Sequence, residues 1–219
     1  MNLRGLLFDF DGLLVDTETP SRRAYEDLYR RHGHELPLDK WATLVGTIGA
    51  EWNPDVHLEE LVGRPLDHVA LAERRRAREY ELVDLEDLRP GVADLLADAD
   101  DLGLRKAIVS SSSNWWIERH LQRLGRMDGW DAIVAANGDA ERAKPAPTLY
   151  LDALDQLGLG AAEAIAFEDS PNGVTAAKAA GLFTIAVPNP ITQSLALDDA
   201  DLLVESFEEL SLDDLMQRA

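Results

Sequence analysis

Short apolar runs alternate with amphipathic stretches along most of the chain. The runs end in polar residues, glycine or proline, which is the pattern of strands buried on both faces. They predict strands over residues 4–8, 105–110, 130–136, 164–169, 183–188 and 200–206. Helical periodicity between them predicts helices over residues 92–102, 114–124, 147–157 and 173–180. Strands that alternate with helices indicate an α/β fold, a parallel sheet with helices on both faces.

Residues 16–86 break this alternation. Their apolar spacing predicts helices over residues 21–32, 37–44, 58–62 and 67–82, and no run is typical of a strand. An all-helical insert between the first two strands indicates a second domain, beside an α/β domain of residues 1–15 and 87–219. Because the insert begins just past the end of the first strand, at the edge where open α/β sheets bind ligands, we expect it to cap a site.

Composition narrows the class of protein. The chain has 219 residues, 46% of them hydrophobic, and a formal net charge of −20. This size and composition predict a globular protein, and the acidic charge argues against a nucleic-acid partner. No apolar run approaches the roughly 20 residues that a membrane helix needs, and the start lacks a signal-peptide pattern. We therefore expect a cytoplasmic protein with no membrane partner, either a monomer or a small homo-oligomer.

Polar residues cluster at points that a parallel sheet brings together. The carboxyl ends of parallel strands share one edge, so residues that follow different strands converge there. The residues that we expect at this edge are Asp9, Asp11, Ser110, Lys144, Glu168 and Asp169.

Three of these carboxylates need a counter-charge. Asp9, Glu168 and Asp169 would repel one another unless a cation lay between them. Mg²⁺ takes oxygen ligands, typically carboxylates together with water and substrate phosphate. In an acidic protein a bound cation would also supply the local positive charge that an anionic substrate requires. The sequence therefore predicts a Mg²⁺ cofactor that binds beside a substrate phosphate.

The D-x-D spacing of Asp9 and Asp11 suggests how the reaction proceeds. On an extended segment the two side chains point the same way. One carboxylate can attack phosphorus. The other can donate a proton to the leaving oxygen and later accept one from water. Gly12 allows the tight turn that follows.

Phosphate binding is predicted for three further residues. Lys144 supplies a fixed positive charge, and Ser110 offers its hydroxyl at a strand-to-helix junction. The backbone N–H of Ser111, which we place at the start of the next helix, adds a second donor. We interpret Ser112 and Ser113 as capping or solvated residues, and the tryptophans as packing residues. The five histidines show no metal-ligand spacing and are expected at the surface or at helix caps.

Four segments then resemble the ordered motifs of haloacid dehalogenase-like phosphohydrolases: "DFDGLLVDTE", "IVSSSSN", "KPAP" and "FEDSPNG". The position of the insert resembles the subgroup of β-phosphoglucomutase and phosphoglycolate phosphatase. The resemblance implies a Rossmann-like core with a helical cap. It makes Asp9 the nucleophile and a metal ligand, and Asp11 the acid/base, with its backbone carbonyl on the metal. It also implies phosphate binding by Ser110 and Lys144, and Mg²⁺ binding by Asp169, with Glu168 acting directly or through water.

The leading hypothesis is a Mg²⁺-dependent phosphatase that works through an aspartyl-phosphate. Its substrate would be a small phosphorylated metabolite, either a sugar phosphate or a phosphoglycolate-like compound. The alternative is a sugar-phosphate mutase, which needs a second phosphate site in the cap. β-Phosphoglucomutase-like caps have a histidine soon after the D-x-D segment, where this chain has Ser21. They also have an arginine in a cap loop, where "VGTIGAEWNPD" has no basic residue. These differences favour hydrolysis, although Arg22, Arg23 or Arg64 could reach inward.

Two other classes fit the motifs less well. A signalling receiver domain keeps its acidic pair adjacent and lacks a helical insert. A haloacid dehalogenase needs the nucleophile but neither the second acid nor a metal.

Overall fold

The computed structural model describes residues 2–41, 44 and 52–218. Within them, six parallel strands form one sheet in the order β3-β2-β1-β4-β5-β6. The strands are Gly5–Phe8 (β1), Arg105–Ser110 (β2), Ala132–Ala135 (β3), Ala164–Glu168 (β4), Phe183–Ala186 (β5) and Leu202–Leu203 (β6). Each lies within its predicted range, which confirms the predicted α/β fold.

The helices of the sheet domain follow the predicted pattern with one addition. They are Val92–Asp101 (α5), Asn114–Arg123 (α6), Thr148–Leu157 (α7), Pro171–Ala179 (α8) and Leu212–Arg218 (α9). The last helix was not predicted, because its seven residues are too few to show a helical period. Short 3₁₀ turns lie at Ala161–Glu163 and Phe207–Glu209.

Helices cover both faces of the sheet, as the apolar strands require. Alternate residues of a strand point to opposite faces. In β1, Leu6 and Phe8 belong to the apolar cluster that includes residues of α5, α6 and α9. Leu7, between them, belongs to the cluster that includes residues of α7 and α8. Both faces of the sheet are therefore buried, and a ligand could reach the strands only at their ends.

Residues 16–86 contain helices and no strand among the residues that the structure describes. The helices are Glu18–Arg31 (α1), Leu38–Trp41 (α2), Pro54–Val62 (α3) and His68–Val83 (α4). Helix α3 begins four residues before its predicted start, because the Asn53 side chain caps it and Pro54 suits the first turn. The predicted extension of α2 to residue 44 includes residues 42 and 43, which lie outside the described residues. No described helix has the length and apolar character to cross a membrane.

The inserted helices have an apolar cluster of their own. Tyr29 of α1, Leu58 of α3 and Leu71 of α4 are buried in it together with Trp41. Ile191, from the segment after β5, also packs there. The insert therefore has its own small core and contacts the sheet domain at one side of it.

The chain enters and leaves the insert at adjacent points. Val15 forms an antiparallel bridge with Leu88, and the N–H of Arg89 donates to the carbonyl of Leu14 at 2.9 Å. The guanidinium of Arg89 donates to the carbonyls of Gly12 (2.9 Å), Val187 (2.9 Å) and Pro188 (2.7 Å). One arginine thus joins the loops that follow β1 and β5.

His120 departs from its predicted place at the surface. It is 0% exposed on α6, with its ring centroid 4.2 Å from that of Trp116 and 6.3 Å from that of Phe10. Burial lowers the pKa of His120 to about 4, with Arg119 and Arg123 adding to the effect. The prediction was wrong because a polar side chain is expected at the surface. His120 nevertheless lies on the buried face of α6, together with the apolar Ile117 and Leu121.

We expect this histidine to make the fold sensitive to acid. In the unfolded chain His120 binds a proton near pH 6.5, but in the folded protein it does so only near pH 4. The unfolded state therefore gains more protons as the pH falls through this interval, and stability is lost. The loss should be about 2 kcal/mol between pH 7 and pH 5. Urea unfolding should show a correspondingly smaller loss in His120→Leu, while His34→Leu behaves like the wild type. Equal losses in all three proteins would contradict the buried, neutral histidine.

Candidate active site

The carboxyl ends of the central strands bring the predicted residues together. The register pairs Phe8 of β1 with Ile108 of β2 and Phe167 of β4. The N–H of Asp9 continues this ladder by donating to the Phe167 carbonyl at 3.0 Å. Residues that follow these strands therefore lie side by side at one edge.

A cavity of about 350 Å³ opens at this edge. Its lining combines residues of the sheet domain with residues of the insert: Asp9, Asp11, Glu18, Ser21, Trp41, Leu44, Ser110, Ser111, Ser112, Lys144, Asp169, Ser170 and Asn172. Six of the seven predicted site residues line it. The seventh, Glu168, is fully buried behind the lining.

Lys144 lies at the centre of the buried charges. Its Nζ contacts Asp9 Oδ1 and lies 2.6 Å from Glu168 Oε1, and all three residues are at most 7% exposed. The Tyr150 hydroxyl donates to the same Glu168 oxygen at 2.5 Å. Burial alone would lower the pKa of Lys144, but the charges of Asp9 and Glu168 raise it above its ordinary value. The ammonium therefore stays positive and is fixed against both acids.

The three buried carboxylates form a candidate metal centre. Oxygens of Asp9, Glu168 and Asp169 lie within 4.8 Å of one another. Burial raises the pKa of Asp9 to about 8, with Glu168 and Asp11 adding to the effect and Lys144 opposing it. Burial, Asp9 and Glu168 likewise raise the pKa of Asp169. Glu168 Oε2 is buried with no hydrogen-bond partner among the described residues. Three buried oxygen donors, one of them without a partner, fit a hard divalent cation such as Mg²⁺.

Asn189 holds Asp169 in place. Its Nδ2 donates to Asp169 Oδ2 at 2.7 Å and to the Gly12 carbonyl at 3.2 Å. Its Oδ1 accepts the N–H groups of Ile191 and Thr192, so the amide orientation is fixed at both ends. Asn189 was not predicted, because an asparagine between two prolines is typical of a turn.

Four donors surround the carboxylate of Asp11. Trp116 Nε1 donates to Oδ1 at 2.7 Å, and the Thr17 hydroxyl donates to the same oxygen at 3.1 Å. The hydroxyls of Ser112 (2.6 Å) and Ser110 (3.2 Å) donate to Oδ2. The interpretation of Ser112 as a capping or solvated residue was therefore wrong. Trp116 does pack against the apolar cluster of the sheet domain, as predicted, and its hydrogen bond to Asp11 is an additional contact. The hydrogen bonds of Ser112 and Trp116 to Asp11 depend on how α6 packs beside β1, and the local sequence pattern does not show this packing.

The serine loop differs from its prediction in one respect. Helix α6 begins at Asn114, with Ser113 as its N-cap, so Ser111 lies in the loop before the helix rather than at its start. The expected helix N-terminus at Ser111 is thus wrong, although Ser111 lines the cavity. Its hydroxyl accepts the N–H of Lys144 at 3.1 Å and links the serine loop to the lysine loop.

Glu18 is an acid of the cavity that was not predicted as a site residue. It is the first residue of α1, and burial raises its pKa to about 7, with Asp11, Asp16 and Glu79 adding to the effect. Its position soon after the D-x-D segment was the available signal. From the segment that follows α2, Leu44 lines the cavity, and residues 45–51 lie outside the described residues.

Comparison with known proteins identifies the family. The family model for haloacid dehalogenase-like hydrolases matches residues 3–181. "Putative phosphatase YhcW" of Bacillus subtilis (strain 168) is 42% identical over 210 residues, which are 96% of this chain and 94% of that protein. Hexitol phosphatase B of Escherichia coli (strain K12) is 33% identical, covering 96% and 95%. The crystal structure of CbbY from Rhodobacter sphaeroides in complex with phosphate is 31% identical, with a TM-score of 0.75 and coverage of 95% and 96%.

The chain belongs to the haloacid dehalogenase-like hydrolase family. The resemblance drawn from the four sequence motifs is thereby confirmed. Within this family the relatives named above support the predicted enzyme class, a phosphoric monoester hydrolase.

Crowding at Gly12 provides a test of the site geometry. Gly12 and Gly33 both have positive φ, +78° and +81°, so alanine is strained at either position. A Cβ at Gly12 would also lie 2.4 Å from Asp169 Oδ2 and 2.6 Å from Asn189 Nδ2, whereas one at Gly33 meets nothing within 4 Å. We expect Gly12→Ala to lose about 1–3 kcal/mol more of its unfolding free energy than Gly33→Ala in urea. Equal losses would contradict the contact with Asp169.

Proposed function

We propose that this protein is a Mg²⁺-dependent phosphatase that hydrolyses a small phosphorylated polyol or sugar through an aspartyl-phosphate on Asp9. The observation that carries the proposal is the juxtaposition of three buried carboxylates, the fixed ammonium of Lys144 and the half-buried Asp11 around one cavity. The family membership and the phosphatase relatives support the same reaction class.

Mg²⁺ would be held by Asp9 and Asp169, by the backbone carbonyl of Asp11, and by Glu168 directly or through water. When bound, it would neutralise a phosphoryl oxygen and act as a Lewis acid. The protein's own contribution is to keep these oxygens close together: Asn189 orients Asp169, while Lys144 and Tyr150 hold Glu168.

In the first step, a carboxylate oxygen of Asp9 attacks phosphorus, and the bond from phosphorus to the leaving oxygen breaks. Asp11, protonated at this stage, gives its proton to that oxygen and releases an alcohol. In the second step, Asp11 accepts a proton from a water molecule, whose oxygen attacks phosphorus. The bond from phosphorus to Asp9 then breaks, which releases phosphate and restores the nucleophile.

The phosphate-binding groups in this scheme are Lys144, Ser110 and Ser111. Lys144 balances the charge of Asp9 and of the transferring group, and its position does not depend on substrate, since Asp9 and Glu168 fix it. The hydroxyl of Ser110 and the loop N–H of Ser111 lie at the end of β2, beside the nucleophile. These groups act on the phosphoryl oxygens, where charge is greatest.

The remainder of the cavity favours an uncharged, hydroxylated leaving group. Glu18 and Ser21 offer hydrogen-bonding groups, and Trp41 and Leu44 offer apolar surface. A second anionic group on the substrate would meet Glu18 and Asp11. Hexitol phosphatase B, a relative along nearly the whole chain, is named for a substrate of this uncharged polyol type.

The same lining disfavours the mutase alternative. Among the described residues that line the cavity, Lys144 is the sole cation, and it is already paired with two acids. Arg22 pairs with Glu26, and Arg23 and Arg64 are exposed. Residues 45–51, which complete the cap loop, contain no lysine or arginine. A second phosphate site is therefore not supported.

We also propose that residues 16–86 act as a cap domain over a core of residues 1–15 and 87–219. The insert's own apolar cluster and the adjacency of its two ends at Val15 and Leu88 support this division. The cap would exclude water while Asp9 carries the substrate's phosphoryl group, and select substrates through Glu18, Ser21 and Trp41.

Chelation tests the cation. We expect hydrolysis of p-nitrophenyl phosphate to be abolished by excess EDTA and restored by Mg²⁺, because the buried carboxylates need a counter-cation. Asp169→Asn should raise the Mg²⁺ concentration needed for half-maximal rate at least about 10-fold, while Asp198→Asn, an exposed control, does not. Undiminished turnover in EDTA would refute the metal assignment.

Product analysis separates hydrolysis from mutase chemistry. With β-glucose 1-phosphate and a trace of the 1,6-bisphosphate, we expect phosphate to form without isomerisation, because the cavity offers no second phosphate site among its described residues. Both products can be followed in one time course. Glucose 6-phosphate formed faster than free phosphate would establish the mutase.

Leaving-group dependence tests the two aspartates. Asp9→Asn should remove all turnover while the protein stays folded, because an amide does not form the acyl-phosphate. Asp11→Asn removes only the proton donor, which is typically worth about 10²–10⁴-fold. Its loss should be large for a hexitol phosphate, whose alkoxide leaves poorly, and small for p-nitrophenyl phosphate. An equal loss with both substrates would contradict the acid role, and single-turnover phosphate release by folded Asp9→Asn would reject the nucleophile.

A further inference from the structure

We propose that Trp116 is a positioning residue for Asp11, and that Tyr80 of the inserted helix α4 holds Trp116 in place. The inference rests on the proposed acid role of Asp11. It assigns a function to an indole that neither lines the cavity nor belongs to the buried cluster of carboxylates.

The hydrogen bonds of Asp11 differ in kind between its two oxygens. Oδ1 accepts from the indole N–H of Trp116 at 2.7 Å and from Thr17 at 3.1 Å. An indole N–H can only donate a hydrogen bond, so it cannot accept one from a protonated carboxyl group. Hydroxyl groups, by contrast, rotate and can accept. Oδ2 faces two of them, Ser110 and Ser112.

This difference sets which oxygen of Asp11 lies beside the cavity. The indole N–H binds Oδ1, while Oδ2 contacts the hydroxyls of Ser110 and Ser112, which line the cavity. Trp116 therefore keeps Oδ2 on the substrate's side, where the proposed proton donation takes place. Without the indole N–H, the carboxyl group can rotate and place its proton on the wrong side.

The indole is in turn fixed by one ring of the insert and one ring of its own helix. The ring of Trp116 lies 5.5 Å from that of Tyr80, centroid to centroid, and 4.2 Å from that of His120. The guanidinium of Arg119 lies 5.1 Å from the centre of the Tyr80 ring and donates to Asp84 at 2.7 Å. The end of α4 is thus packed and ion-paired against α6.

A continuous path consequently joins the insert to the acid: Tyr80 on α4, Trp116 on α6, then Asp11 after β1. The packing of α4 on α6 thus supports the indole that binds Asp11.

Trp116→Phe, with Trp115→Phe as its matched control, tests the first part of the proposal. The phenylalanine ring would keep most of the packing of Trp116 but lack the N–H donor. Trp115 contacts the same tyrosine, with centroids 6.1 Å apart, but is 58% exposed and makes no described hydrogen bond to Asp11. We expect Trp116→Phe to lower kcat about 10-fold for a hexitol phosphate, with KM unchanged. The loss for p-nitrophenyl phosphate should be less than about 3-fold, and Trp115→Phe should change neither rate.

A magnetic resonance experiment reads the hydrogen bond without any activity. The chain has five tryptophans, and the indole N–H signal of Trp116 is the one absent from the spectrum of Trp116→Phe. In Asp11→Asn this signal should shift, because its acceptor has lost its charge, while the signal of Trp115 stays in place. An unmoved Trp116 signal would overturn the proposed contact.

Tyr80→Leu tests the second part. It removes the aromatic support while leaving the indole N–H intact, so it should reduce kcat in the same leaving-group-dependent manner, by about 2- to 5-fold for the hexitol phosphate. A loss that is equal for both substrates, or absent, would overturn the role of α4.

The failure of this proposal is distinguishable from the failure of the proposed function. If Asp11→Asn shows no leaving-group dependence, the acid role itself is wrong. If Asp11→Asn shows it and Trp116→Phe does not differ from Trp115→Phe, the acid role stands and the positioning role is refuted.

Discussion

The ammonium of Lys144 is the interaction on which the rest of the site depends. Burying one carboxylate without a partner costs several kcal/mol, and this sheet edge buries three of them within 4.8 Å. Lys144 reaches two of the three, and Tyr150 reaches the fully buried one. Removing the lysine would leave both acids uncompensated. The loop that carries Lys144 is tied to the serine loop through Ser111, which fixes the cation relative to β2.

One lysine does not balance three acids, and the imbalance is the functional feature of the site. The remaining negative charge is concentrated at the mouth of a parallel sheet, in a protein whose net charge is already −20. In the proposed function, this charge attracts a hard cation and, once that cation is bound, a phosphate. The rest of the substrate would then meet residues of the insert, of which Glu18 and Trp41 line the cavity.

Features that depend on local sequence pattern or on strand topology could be predicted from the sequence. The six strands were recognisable because parallel strands buried on both faces are continuous apolar runs. Asp9, Ser110 and Asp169 were placed at one edge because parallel topology alone requires it. What the sequence did not report were contacts made across the fold. Trp116 and Asn189 lie outside the four motifs, and their partners are set by how α6 and the loop after β5 pack.

The errors have similarly physical causes. His120 is polar, and only the packing of α6 near Phe10 buries it. Ser111 was assigned to the start of a helix that begins three residues later. The N-cap is Ser113, so Ser111 belongs to the loop of serines between β2 and α6. Helix α9 is held by Leu212 and Leu215 against the sheet domain rather than by its own propensity.

The bridge between Val15 and Leu88, with Arg89 clamping the carbonyls beside it, has a consequence for how such proteins diversify. Because Val15 and Leu88 are paired, the stretch between them is a loop that is closed at its base. The entropy of closing a loop grows only slowly with its length. The stretch can therefore be lengthened, shortened or exchanged for another fold with little effect on the strands or on the catalytic edge. Arg89 and the bridge thus fix the two ends of this stretch, whatever its length or fold.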